Sequence, residues 1–127
     1  MLVGNKLIAL AEFYHREGRL TRAVPLYERA QRLWEDRLGP QHPAVGTLAV
    51  NLASCYTRLG ALATAEPLYL QALSIFEQDV DFEDAEAVAL LQEFVGQLSK
   101  LGRSAEASRL RERVARVAAL VPAHVEV

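Results

Sequence analysis

The chain has a single cysteine, Cys55, among its 127 residues. One thiol cannot close an internal disulfide or assemble a thiolate zinc site, so a reducing, cytoplasmic setting is expected. Neither sign of charge predominates, since 14 Lys and Arg against 16 Asp and Glu give a net charge of -2 and a pI near 5.9. Such a balance gives no general attraction for phosphate backbones, and nucleic-acid binding would require a strong local basic patch. Long apolar runs are missing as well. Residues 1–10 are apolar, but no basic segment and small-residue cleavage site frame them, and Glu12 stops the run short of membrane-spanning length. No membrane segment is expected. What the chain does have is a hydrophobic content of 51%, ample for one packed core.

That apolar content is periodic. Gly18, Gly60 and Gly102 are 42 residues apart, as are Ala23, Ala65 and Ala107, and Leu26, Leu68 and Leu110. In the first two units the match widens. Leu10-Ala11-x-x-Tyr14-x-x-x-Gly18 recurs as Leu52-Ala53-x-x-Tyr56-x-x-x-Gly60, and Ala23-x-Pro25-Leu26-Tyr27-x-x-Ala30 recurs as Ala65-x-Pro67-Leu68-Tyr69-x-x-Ala72. A fixed period of this length signals a stack of supersecondary units.

Within a unit the spacing is helical. Leu7, Leu10, Ala11 and Tyr14 recur every three or four residues and form the core stripe of a first helix. Gly18 ends it by supplying a left-handed backbone position. A second stripe runs through Ala23, Leu26, Tyr27, Ala30, Leu33 and Trp34. Pro25 and Pro67 are expected near the start of the second helices, where a missing N–H costs little. Between units, Gly39 and Pro40 stop one helix and Pro43 opens the next, with His42 serving as a corner residue. Six helices are expected at 3–17, 21–38, 43–59, 62–79, 84–101 and 104–120. They form one domain of units at about 1–42, 43–84 and 85–121, with a tail at 122–127.

These motifs resemble the tetratricopeptide repeat in its 42-residue form, typified by kinesin light chains. The resemblance rests on the Leu-Ala-x-x-Tyr pairs, the Gly-x-x-x-x-Ala turns and the corner Gly39-Pro40-x-His42-Pro43. It implies an all-α, right-handed α-solenoid of three helix-turn-helix hairpins, whose first helices line a concave groove that receives a partner's peptide or helix. The third unit departs from the pattern, with Leu98 and Arg111 in place of the tyrosines and Val95 and Val114 in place of alanines. Such a unit reads as a terminal cap whose outer face, with Arg109, Arg111, Arg113 and Arg116, meets water. Unit one has no cap ahead of it. Leu2, Val3 and their neighbours should therefore expose an apolar edge, to which further units, or a second copy forming a homodimer, could attach.

The stripe beside each core stripe should face the groove. It contains Asn5, Ile8, Glu12, His15 and Arg16 in unit one and Thr47, Val50, Asn51, Ser54, Thr57 and Arg58 in unit two. Unit three adds Gln92, Glu93, Gly96, Ser99 and Lys100. Asn51 interrupts an apolar run with a side chain that both donates and accepts. The resemblance implies that an asparagine here holds the backbone of a bound peptide, against the plainer alternative of a solvated helix residue. Glu12 and Glu93 offset Arg16, Arg58 and Lys100, and the cationic clamp of chaperone-binding relatives is absent.

Other chemistries find little footing. His15, His42 and His124 have no partners at the spacing of a helical zinc site, and Cys55 has no evident base. The acidic run Asp79, Asp81, Glu83, Asp84 and Glu86 lacks the glycine and glutamate of a calcium loop, and carboxylates ahead of a helix serve as caps. A protein-binding module with no catalytic residue, no cofactor and no metal is the expectation. Self-association through unit one is the alternative.

Overall fold

The computed structural model describes residues 2–122, and all the regular structure there is helical. The helices are α1 (Leu2–Arg16), α2 (Leu20–Leu38), α3 (Pro43–Arg58), α4 (Leu62–Glu77), α5 (Ala85–Lys100) and α6 (Ser104–Ala118). Every boundary falls within two residues of the periodicity-based reading. Each odd helix packs on the even helix that follows it, giving three hairpins. The hairpins stack in chain order, α2 on α3 and then α3 on α5 and α4 on α6. The result is an all-α solenoid. The expected tail, with His124, lies beyond the described residues, apart from its first position.

The hairpin turns are built three times in the same way. Gly18, Gly60 and Gly102 have φ of 74°, 82° and 79°, a region that costs other residues energy. Each closes the same pair of backbone bonds. In the second unit Gly60 N donates to Thr57 O at 3.1 Å and Ala61 N to Tyr56 O at 2.8 Å. These bonds satisfy carbonyls that the end of α3 would otherwise leave open, and they swing the chain directly into α4.

Two core clusters follow from the stripes. The first joins Leu7, Ala11, Ala23, Tyr27 and Ala30 of hairpin one to Leu48, Leu52 and Cys55 of α3. The second joins α3 and α4 to hairpin three, with Tyr69 stacked on Phe94 at 4.3 Å between ring centres. Trp34, Tyr56 and Leu68 pack against both.

Three details differ from the sequence reading. Leu10, expected in the core stripe, is 44% exposed, whereas Leu52 one period later is 2% exposed because hairpin one covers it. Pro25 and Pro67 are the sixth residues of their helices rather than first-turn residues. The turns deliver the chain into helix so early that the carbonyls of Thr21 and Ala63 lose their helical donors, and both residues are exposed to water. Arg113, expected on a wet face, turns back to Glu77 of α4 at 2.6 Å, which holds the Glu77 carboxyl below its ordinary value.

Candidate functional site

The first helices present three faces, which α1 separates clearly. Gly4, Leu7 and Ala11 are buried against α2. Helical geometry then puts Asn5, Ile8, Glu12, His15 and Arg16 about 100° to one side and Val3, Lys6, Leu10 and Phe13 about 100° to the other. The first of these flanks opens onto a cleft of about 570 Å³. Glu12, His15, Arg16 and Tyr27 of hairpin one, Thr47, Asn51 and Arg58 of α3, and Glu86, Ala89 and Leu90 of α5 line it.

The floor of this cleft is set by the repeat. Tyr27 is buried and its hydroxyl is hydrogen-bonded to His15 Nδ1 at 3.0 Å, while one period later the Tyr69 hydroxyl meets Thr57 Oγ1 at 3.1 Å. Burial pushes the Tyr27 phenol well above its ordinary value and holds the His15 imidazole below 6.5, with nearby Arg58 acting in the same direction on His15. The neutral imidazole is therefore favoured at neutral pH, leaving Arg16 and Arg58 as the cations of the lining, opposed by Glu12 and Glu86. Asn51 donates from Nδ2 to the Thr47 carbonyl of its own helix at 2.9 Å. That bond fixes the side chain and leaves its carbonyl oxygen available as an acceptor.

A second cleft of about 290 Å³ adjoins the first and shares Glu12, Tyr27, Thr47 and Asn51 with it, adding Ile8, Trp34, Ala44 and Leu48. The Trp34 Nε1 donor is buried and has no hydrogen-bond partner among the described residues.

Residues 2–78 match the family model described as tetratricopeptide repeat. The chain belongs to the tetratricopeptide repeat family. Repeats of this family (TPRs) generally mediate protein–protein interactions and are typically non-catalytic. Among solved structures, the chain is similar to the nearly identical TPR-like repeats of a protein assigned as a kinesin light chain in Podosopora anserina. The unsubstituted repeats and a form of them with one substitution each align with a TM-score of 0.67, 24% identity and 91% of this chain. The chain spans about half of those structures, 55% and 54% of their lengths respectively. No curated protein sequence matches it.

The TPR stack brings Glu12, His15, Arg16, Thr47, Asn51 and Arg58 together at one cleft. Four other residues expected in the groove lie elsewhere. Asn5 and Lys100 are exposed away from the cleft lining. Ser54 is only 2% exposed, because α3 is the middle helix and packs against neighbours on both sides, which shuts away a small side chain. Gln92 lines a separate cleft of about 300 Å³ with Val95, Gly96, Arg111, Val114 and Ala115 at the other end of the stack. Conversely, Glu86, Ala89 and Leu90 belong to the lining but not to the expected stripe. Ala89 is one period beyond Thr47, so the register itself contained that signal.

The remaining candidates have structural roles. His42 Nδ1 accepts from Ala44 N at 3.1 Å and caps α3, with Pro43 at its first position. In the acidic run, Asp84 caps α5 through Ala87 N at 3.1 Å and Asp79 accepts from Asp81 N at 3.1 Å. Burial pushes the Cys55 thiol up to about 11, far from the thiolate form that reactivity requires. Among the described residues no group of His, Cys, Asp and Glu could hold a metal ion, and no helix is long and apolar enough to cross a membrane.

Proposed function

We propose that this TPR array is a protein-binding module that receives a peptide or helical segment of a partner in the cleft between α1, α3 and α5. One observation supports this above the others: a concave cleft of about 570 Å³ collects polar side chains from all three first helices around a fixed amide, Asn51. A space of this size accommodates several side chains of a bound segment. Asn51 contributes a backbone-type acceptor, Arg16 and Arg58 pair with carboxylates of the partner, and Ala89 and Leu90 give it an apolar wall. The three units, at 1–42, 43–84 and 85–121, work as one domain, because a cleft lined by every first helix needs all of them in place. The module is not an enzyme, and its setting is the cytoplasm, in keeping with the buried free thiol of Cys55.

The test is an affinity capture with the intact chain and with the Asn51→Ala/Arg58→Ala variant. A partner enriched by the wild type is expected to be lost by the double variant, while circular dichroism and melting temperature stay nearly constant. An Arg29→Ala control, exposed on α2 away from the cleft, should retain it. Undiminished capture by the double variant would move the binding surface elsewhere.

A further inference from the structure

The opposite flank of α1 contains Val3, Lys6, Leu10 and Phe13, and Glu17 continues it just past the helix end, at alternating steps of three and four residues. Val3 is 57%, Leu10 44% and Phe13 47% exposed. One period later the same register reads Val45, Leu48, Leu52 and Cys55, all buried, and hairpin one covers the last three of them. The fold therefore shows what this register ordinarily meets, namely another helix. It also shows how unit one departs from unit two: Lys6 and Glu17 replace Leu48 and Leu59, while Leu10 and Phe13 between them remain large and apolar.

We propose that this face of α1 pairs with the same face of a second copy of the chain, antiparallel about a two-fold axis. Steps of three and four are the seam pattern of paired helices, and in an antiparallel pair the two kinds of seam position alternate across the interface. The register that sets Leu10 against Phe13 of the second copy also sets Lys6 against its Glu17, and the two-fold axis repeats both pairs. The apolar centre is thus flanked by two complementary ion pairs, and the interface is closed and self-complementary.

The alternative stacking of two copies, head to tail, is opposed by charge. Its receiving surface would be the end cleft of hairpin three, where Arg111 replaces Tyr27. In hairpin two the register of Lys6 is occupied by Leu48, which packs in one cluster with Tyr27 of hairpin one. Head-to-tail stacking would therefore set Lys6 onto Arg111, and like charges in contact disfavour it.

Sedimentation equilibrium of the intact chain over a wide concentration range, at low and high salt, tests the pairing. The mass should rise from the 14.1 kDa of one chain to a limit of twice that value. Phe13→Glu should remain at the single-chain mass throughout. Lys6→Glu and Glu17→Lys should each weaken the dimer about tenfold, whereas the two changes combined should restore it, because the swapped charges again face each other. All these side chains are exposed, so the melting temperature of the dilute chain should change little and an unfolded variant would be recognised. A single-chain mass at every concentration would overturn the proposal. So would growth beyond two copies that Arg111→Glu alters, which marks head-to-tail stacking, or a charge-swapped chain no tighter than the single variants.

Discussion

Two glycines inside helices show how differently one residue type can be used. A Cβ on Gly46 of α3 would lie 2.8 Å from Phe76 Cε1 and 3.1 Å from Ile75 Cγ2, both on core side chains of α4 that have no free space to retreat into. The same atom on Gly96 of α5 would meet nothing within 4 Å. Alanine is the better helix former by about 1 kcal/mol, and overpacking a filled core costs about 1–3 kcal/mol. Gly96→Ala should therefore raise stability by up to about 1 kcal/mol, while Gly46→Ala should lower it despite the same propensity gain. Urea denaturation of the two variants beside the wild type checks both signs. The requirement at Gly46 was not legible from the sequence, because a period identifies which residues share a face but not how closely a side chain of one helix approaches the backbone of the next. The same limit explains Leu10 and Ser54. Both have the right register for the roles expected of them, and the presence or absence of a neighbour on one side decided their burial.

At the scale of the helix, the two members of hairpins two and three start by different means. The second helices α2, α4 and α6 have no side-chain cap at Arg19, Ala61 or Arg103, since the glycine turn just before them already directs the backbone. The helices α3 and α5 enter from longer corners and depend on a side chain, His42 in one case and Asp84 in the other. Replacing Asp84 by alanine removes the acceptor for Ala87 N and a negative charge from the positive end of α5. The expected loss is about 1 kcal/mol, read from the urea midpoint with little change in helical content. Helix positions and ends were the most legible part of the sequence, because the 42-residue period, the glycines and the prolines mark them independently. The acidic run before α5 was also legible as capping. The cleft was legible only in part: six of the ten residues expected there line it, and α5 contributes a different set. Small shifts between hairpins decide which residues face a common space, and no one unit encodes them.

For the whole molecule, the seam between hairpin one and hairpin two is where opening should first be detectable. Cys55 sits in that seam, fully buried among Tyr27, Leu48 and Leu52, with its thiol pushed up to about 11. In a stack stabilised by nearest-neighbour contacts, a hairpin can undock without global unfolding. Cys55 should accordingly resist alkylation near pH 8 in the native chain and react fully in denaturant. Leu52→Ala, which leaves a cavity in the same seam, should raise the native labelling rate by at least about tenfold, in line with a loss of about 2–5 kcal/mol for such truncations. Mass spectrometry of the alkylated protein over time follows this directly. An unchanged rate would mean that the thiol is reached through an opening that leaves the contacts of Leu52 intact.

Trp34 packs against both core clusters, and its indole also lines the smaller cleft beside Asn51. As the only tryptophan of the chain, it makes the fluorescence of the unlabelled protein a local signal rather than an average. A change in solvation at the joint between the first two hairpins, or beside the cleft, would be read at one known residue, so the array contains its own optical gauge where stacking and the proposed binding meet.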